Sequence, residues 1–318
     1  MFIKECDKVE ILTLQDNYIE LTAMDNSNIV QRANPVDKDM KLTVSLLAEH
    51  GFSTLVKIYN GDCSSSLLFD FGYSEDGAAR NAVTLNADMA SVKSAALSHG
   101  HMDHTGGISR LSKMIPGDKK AIDFAVHPMA FTKPRYIKLG EELKLYFPEF
   151  NREDITKEGY KLVETTAPYS FVDGYAMFLG EIPHVTDFEK GFPVAFRQRD
   201  GHEEWDPIED DTAVVMNVKG KGLVVLTGCA HSGVVNTVRH AIKTTGIEKI
   251  YVIMGGYHLS GPFFEHIIEK TTAELKAFKP TYIVPCHCTG RKAIMHIEKE
   301  MPDQFILNMV GTKLTFSS

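Results

Sequence analysis

The chain has 318 residues, enough for one large α/β domain or two small ones and too many for a disulfide-stapled miniprotein. With 43% hydrophobic and 24% charged residues it fits neither a disordered nor a fibrous protein. Its 34 basic and 42 acidic residues leave a net charge of -8, which disfavours nucleic acid and anionic membranes as partners; no run of Lys and Arg supplies a local exception.

From the N-terminus, Phe2-Ile3-Lys4-Glu5-Cys6-Asp7-Lys8 mixes both charges and lacks the apolar stretch of a secretory signal. The longest apolar runs, at 222–226 and 250–254, are far short of a membrane span, so a cytoplasmic protein is expected. Cys6, Cys63, Cys229, Cys286 and Cys288 make an odd set without framework spacing, which reads as free thiols in a reducing compartment. Neither repeats nor linkers divide the chain, and 1–318 reads as a single domain.

Strands are predicted over 53–59, over 66–71 ending in Asp70-Phe71-Gly72, and at Ala95-Ala96-Leu97. Beyond Gly106-Gly107 the spacing of Ile108, Leu111 and Met114 predicts a helix stopped by Pro116-Gly117. Residues 130–205 are polar and interrupted by five prolines, and read as an elaborated insert or lid. Its aromatic residues Tyr136, Tyr146, Phe147, Tyr169, Phe171 and Tyr175 would either close over a flat ring or form the insert's own core. Residues 213–218 and 223–226 read as a hairpin, followed by a helix from Val234 to near Gly246. Strands at 250–254 and 281–284 then flank a helix at about 264–278, and this alternation predicts an α/β layered fold.

The chemistry concentrates in Ser98-His99-Gly100-His101-Met102-Asp103-His104-Thr105-Gly106-Gly107, where a short apolar strand runs into a loop with three histidines and an aspartate. Neutral imidazoles and carboxylates bind Zn²⁺ and similar ions, and a loop can aim alternate side chains at two neighbouring ions. Two metals sharing a bridging hydroxide is the natural use of such ligands, one generating the nucleophile and the other polarising the substrate. Each of three later apolar runs also ends in histidine: Gly228-Cys229-Ala230-His231-Ser232-Gly233, Gly255-Gly256-Tyr257-His258, and Pro285-Cys286-His287-Cys288-Thr289-Gly290. Ligands of open α/β sheets sit outside the carboxyl ends of strands, so His231 and His287 are expected to converge with the first loop, while His258 is left even between ligand and structural roles.

The pattern His-x-His-x-Asp-His at His99, His101, Asp103 and His104 resembles the metallo-β-lactamase superfamily, and the chain is identified as a member of it. The resemblance implies an αββα sandwich and an upstream Asp-x-Gly turn bracing the metal loop, here Asp70-Phe71-Gly72 with Phe71 in place of the usual Thr. Further segments narrow the resemblance to the dihydropterin ribofuranosyl-aminobenzene phosphate synthase branch, which is linked to methanopterin-type cofactor synthesis. They are Asp16-Asn17-Tyr18, Ala48-Glu49-His50-Gly51, Asn81, Val126-His127-Pro128, Gly180-Glu181-Ile182-Pro183, the stretch from Gly228 to Asn236, and His287-Cys288-Thr289-Gly290. There are two departures. Cys229 stands where most of the superfamily carries a bridging Asp, and is either a thiolate ligand or a buried thiol; His184 stands where the branch is expected to carry Arg.

Spacing and resemblance together imply His99, His101 and His231 on one ion and Asp103, His104 and His287 on the other, with zinc expected and iron or manganese as alternatives. In a mononuclear variant Asp103 is the candidate proton acceptor. His127, His184, His258, Arg291, Ser232 and Thr289 are candidate substrate contacts, and Asp70 and Cys229 candidate ligands or supports. Ser232-Gly233 and Thr289-Gly290 each open a predicted helix whose free amides suit a phosphate, though the same pair is also a routine cap. The expected activity is metal-dependent hydrolysis of a small phosphate ester, lactone or other acyl compound, including a pterin-related phosphate. The other classes are a metal-bearing small-molecule sensor and, more weakly, a di-iron redox protein.

Overall fold

The structure is a computed structural model that describes residues 2–34, 36, 39, 41, 42 and 45–318. Two large β-sheets lie face to face. The first runs in the spatial order Lys161–Glu164, Asp123–Val126, Val92–Ala96, Cys63–Phe69, Ser53–Asn60, Lys8–Gln15, Lys313–Ser317 and Val30–Gln31. The second runs Tyr169–Phe171, Ala176–Phe178, Ala213–Val218, Gly222–Thr227, Ile250–Gly255 and Tyr282–Pro285, with Glu5–Cys6 paired to Ala213–Val218.

Side-chain alternation explains the layering. In Ala213–Val218 every residue is buried; Val214, Met216 and Val218 point to the core between the sheets, and Ala213 and Val215 to the outer face. Gly222–Thr227 repeats this, with Val224 and Leu226 inward and Leu223 and Val225 outward. On that outer face pack the helices Val234–Thr245, Ile268–Ala277 and Arg291–Glu300. The outer face of the first sheet is covered by Gly77–Thr84, Ile108–Met114 and Arg152–Thr156. The result is the expected αββα sandwich. Among the described residues no helix is long and apolar enough to cross a membrane.

The hairpin at 213–227 forms as predicted, and Gly246 ends its helix in the left-handed conformation that glycine adopts freely. The stretch 130–205 differs from the single insert expected. Lys161–Glu164 extends the edge of the first sheet, and Tyr169–Phe171 and Ala176–Phe178 join the second. Arg135–Lys138, Lys144–Tyr146, Ala195–Arg199 and His202–Trp205 make a separate four-stranded sheet. Three of these pairings are local hairpins, but 161–164, 176–178 and 195–199 also pair with strands distant in sequence, which no local pattern records.

Parallel pairing gathers strand ends at one edge of the sandwich. Cys63–Phe69, Val92–Ala96 and Asp123–Val126 run parallel in one sheet, and Gly222–Thr227, Ile250–Gly255 and Tyr282–Pro285 in the other. The residues just beyond the carboxyl ends of these strands include Asp70, the loop from Ser98, His127, Cys229, His258 and His287.

Candidate metal centre

The first metal loop is held from behind. Asp70, itself at φ +57, accepts hydrogen bonds from the Ser98 amide and hydroxyl, both at 2.7 Å. It also takes a 2.6 Å bond from His104 Nδ1, which fixes the tautomer and turns Nε2 into the site. The predicted Asp70 brace therefore forms, and Phe71 is explained by a buried stack on Phe124 at 5.3 Å. Gly228 lies against this brace: a Cβ there would sit 2.0 Å from Ser98 Oγ, so only glycine lets the late strand end pass.

The loop ligands and the late histidines converge in one buried cluster. Ligand atoms of Asp103, His104, Cys229 and His287 lie within 4.8 Å of one another, as do those of His99, Cys229 and His231, those of His99, His101 and Asp103, and those of Cys229, His258 and Cys288. His287 Nε2 is 3.2 Å from Asp103 Oδ2. The His231 ring packs 4.8 Å from His99, 4.9 Å from His101 and 4.2 Å from His258. His258, left even from sequence, thus belongs to the cluster, while His101 shares its ligand-atom group with His99 and Asp103 and meets His231 by ring packing.

Electrostatics suit a cation. Burial and the neighbouring imidazoles hold His99 and His231 well below the ordinary histidine range, and burial with Arg135 lowers His101 to about 3, so all three present neutral lone pairs. Burial pushes the Asp103 carboxyl up, but His104 and His287 outweigh it and keep Asp103 ionised. His104 is the exception. Burial lowers it, yet Asp70 and then Asp103 raise it to about 9, so without a metal the imidazolium itself supplies the positive charge between two carboxylates. Both ring nitrogens of His231 are buried without a hydrogen-bond partner, as is Nδ1 of His258. Orphaned imidazole nitrogens among His, Asp and Cys donors fit a zinc-like divalent ion.

Several positioning residues were given no role in the sequence reading. Asp16 accepts from the His287 amide at 2.9 Å and from Asn308 Nδ2 at 2.6 Å, while Asn17 meets His287 Nδ1 at 3.3 Å. Asp210 accepts from the Gly100 amide at 2.8 Å and pairs with buried Arg135; its neighbour Asp211 accepts from the Ser232 amide. Adjacent acids at 210 and 211 thereby tie the early and late loops together. The His50 ring packs at a tilt 5.0 Å from His287, with Nε2 3.6 Å from the Asp103 carboxylate and the side chain 60% exposed. Its only sequence signal was membership in the 48–51 segment.

Other predicted contacts are placed differently. The Ser232-Gly233 helix start is already occupied: Glu189 accepts from the Val235 and Asn236 amides at 3.0 and 2.9 Å, leaving no free amide pair for phosphate. Thr289 Oγ1 accepts from the Tyr257 amide at 3.0 Å and acts as a structural tie. Arg291 and His184 are exposed and outside the ligand cluster. His127 Nδ1 accepts from the Met129 amide at 3.2 Å, and Nε2 is 3.8 Å from Glu181. Of the six aromatics read either as a cover for a flat ring or as the insert's own core, Phe147 reaches the site, its ring 4.8 Å from His101. Tyr136 is buried and bonded to Glu203, Tyr146 packs against it at a tilt, and Tyr169, Phe171 and Tyr175 pack on the inter-sheet core. A cavity of about 180 Å³ instead opens beside His231 and His258, lined by Phe263 and Phe264, with Lys190 at its edge.

This fold and ligand cluster define a protein of the metallo-β-lactamase superfamily, most of whose members are metal-dependent hydrolases. The chain belongs to the family of the Methanocaldococcus jannaschii 7,8-dihydropterin-6-methyl-4-(β-D-ribofuranosyl)-aminobenzene-5'-phosphate synthase, to which it is 32% identical over 266 residues, 81% of this chain and 87% of the relative. An uncharacterized protein of the same organism is 29% identical over 275 residues, 83% of this chain and 92% of that one. Among solved structures, a metal-dependent hydrolase of the β-lactamase superfamily superposes with a TM-score of 0.71 at 25% identity, covering 98% of this chain and 100% of that one. A scan against protein-family models matches none.

Proposed function

We propose that this chain is a metal-dependent hydrolase with a dinuclear centre, acting at a phosphate ester or acyl bond of a small molecule, with a phosphorylated pterin compound the first candidate. The observation that carries the reading is the convergence of His99, His101, Asp103, His104, His231 and His287 in one buried cluster, with both His231 nitrogens lacking any protein partner. His99, His101 and His231 would hold one ion, and Asp103, His104 and His287 the other. When bound, such a pair supplies Lewis-acid polarisation of a substrate oxygen and acidification of a water shared between the ions.

The chain's own residues do the rest. Asp70 and Ser98 orient the first loop, and Asp16 and Asn17 orient His287. His50, exposed at the mouth and beside the Asp103 carboxylate, is the group suited to pass a proton to a departing oxygen. The cavity between His231, His258, Phe263 and Phe264 suits a flat ring, and Lys190 offers a cation to a phosphate. The pterin-bearing, phosphorylated product named for the methanogen relative agrees with those two features.

Elemental analysis of the purified protein, with His101→Ala and His231→Ala alongside, tests the centre. The expected result is about two equivalents of zinc, iron or manganese, reduced in both variants. Folded protein that holds no metal and takes none up would overturn the reading. Turnover against phosphomonoesters, phosphodiesters, lactones and thioesters then identifies the bond class, and loss of turnover in both variants is expected.

A further inference from the structure

We infer that Cys229 is a single-atom thiolate bridge joining the two halves of the metal centre; this rests on the metal-centre reading above and deepens it. The Cys229 sulfur lies 3.2 Å from His104 Nε2 and 3.3 Å from His287 Nε2 on one side. On the other it shares a group of atoms, all within 4.8 Å of one another, with His99 and His231. Asp103 also belongs to two groups, but its second partners are His99 and His101 of its own loop. His99 links His231 to Asp103, but among the described residues Cys229 alone shares one group with His231 and another with Asp103, His104 and His287 together.

Geometry allows the role. Zinc–sulfur bonds are about 2.3 Å, so one sulfur can touch two ions whose separation, about 3.5–4 Å in two-metal sites, is under twice that length. The sulfur is buried and flanked by imidazole nitrogens, where a neutral thiol makes only weak hydrogen bonds. Binding is a ligand exchange that balances simply: the S–H bond breaks, its proton leaves to solvent, and the sulfur lone pairs bind the ions. The consequence is a softer centre than an all-nitrogen-and-oxygen one, selecting zinc or ferrous iron over manganese.

Cadmium NMR of the chelated and cadmium-loaded full chain tests this without reference to activity. Two bound ions are expected, both resonating in the downfield, sulfur-ligated range. Cys229→Asp, whose carboxylate can span two ions with its two oxygens, should keep two ions and move both resonances upfield to the nitrogen-and-oxygen range. Cys229→Ser should move both as well, and Cys288→Ser neither. A single sulfur-shifted resonance would make Cys229 a terminal ligand and overturn the bridge, and so would shifts that follow Cys288 instead. Two ions with no sulfur shift would remove the thiolate while leaving the dinuclear centre standing. Failure to bind cadmium at all, in folded protein, would take down both readings.

Discussion

Asp70 shows how one residue sets the chemistry of another. Its left-handed backbone, tolerated by Asp and Asn better than by most side chains, swings the carboxylate under Ser98 and His104. Asp70→Asn preserves that backbone preference but presents an amide and no charge to His104 Nδ1. We expect metal affinity to fall about 10- to 100-fold with far-ultraviolet circular dichroism unchanged, measured by competition with a chromophoric chelator. At this scale the early ligands were legible because they are spaced two and three apart in one loop. His50, Asp16, Asp210 and the membership of His258 were not, since each acts across a long sequence separation on a residue that local pattern cannot pair with it.

At the scale of elements, the helix Val234–Thr245 has glycine at its N-terminal boundary and no side-chain cap from its own sequence. Glu189, more than forty residues earlier, supplies the acceptor by binding two first-turn amides. Glu189→Ala should therefore destabilise the protein by about 1–2 kcal/mol, read from the urea midpoint of the metal-free chain. The same observation favours the capping alternative at Ser232-Gly233: the sequence showed an open helix start, but a distant carboxylate binds two of its amides. Strand elements were legible wherever apolar runs were bounded by Gly, Pro or charge, as at 213–227. The division of 130–205 among three sheets was hidden because its strands are three to five residues long and the pairings that assign them to a sheet, 161–164 with 123–126, 176–178 with 213–218 and 195–199 with 135–138, span long sequence separations.

Over the whole molecule, stability rests on the core between the sheets and on buried polar ties at its edge. Leu226 is fully buried between the sheets, and Leu226→Ala should cost about 2–5 kcal/mol with an unchanged denaturant slope. The Asp210–Arg135 pair contributes to acid behaviour. Burial pushes the Asp210 carboxyl up, but Arg135 outweighs it and sets Asp210 at about 2, below its ordinary 3.8. A folded-state value below the unfolded one contributes stability that is present above about pH 4 and lost as pH falls toward 2. The contribution is on the order of 2 kcal/mol, at about 1.4 kcal/mol for each unit of pKa. In metal-free protein, Asp210→Asn should remove that part of the decline between pH 4 and pH 2, seen as a flatter stability curve than wild type.

By itself the amino-acid sequence determined an α/β layered class and marked the first histidine loop and the two late histidines, because these are written in local periodicity and short spacing, while the αββα arrangement came from the family resemblance. Tertiary structure alone decided which of the later residues meet that loop. Parallel pairing carries the ends of strands more than a hundred residues apart to one edge of the sandwich, and only there do Cys229, His258, Asp16 and Asp210 acquire partners. A side chain's chemistry depends on neighbours within a few ångströms, and those neighbours are chosen by strand order rather than by position in the chain.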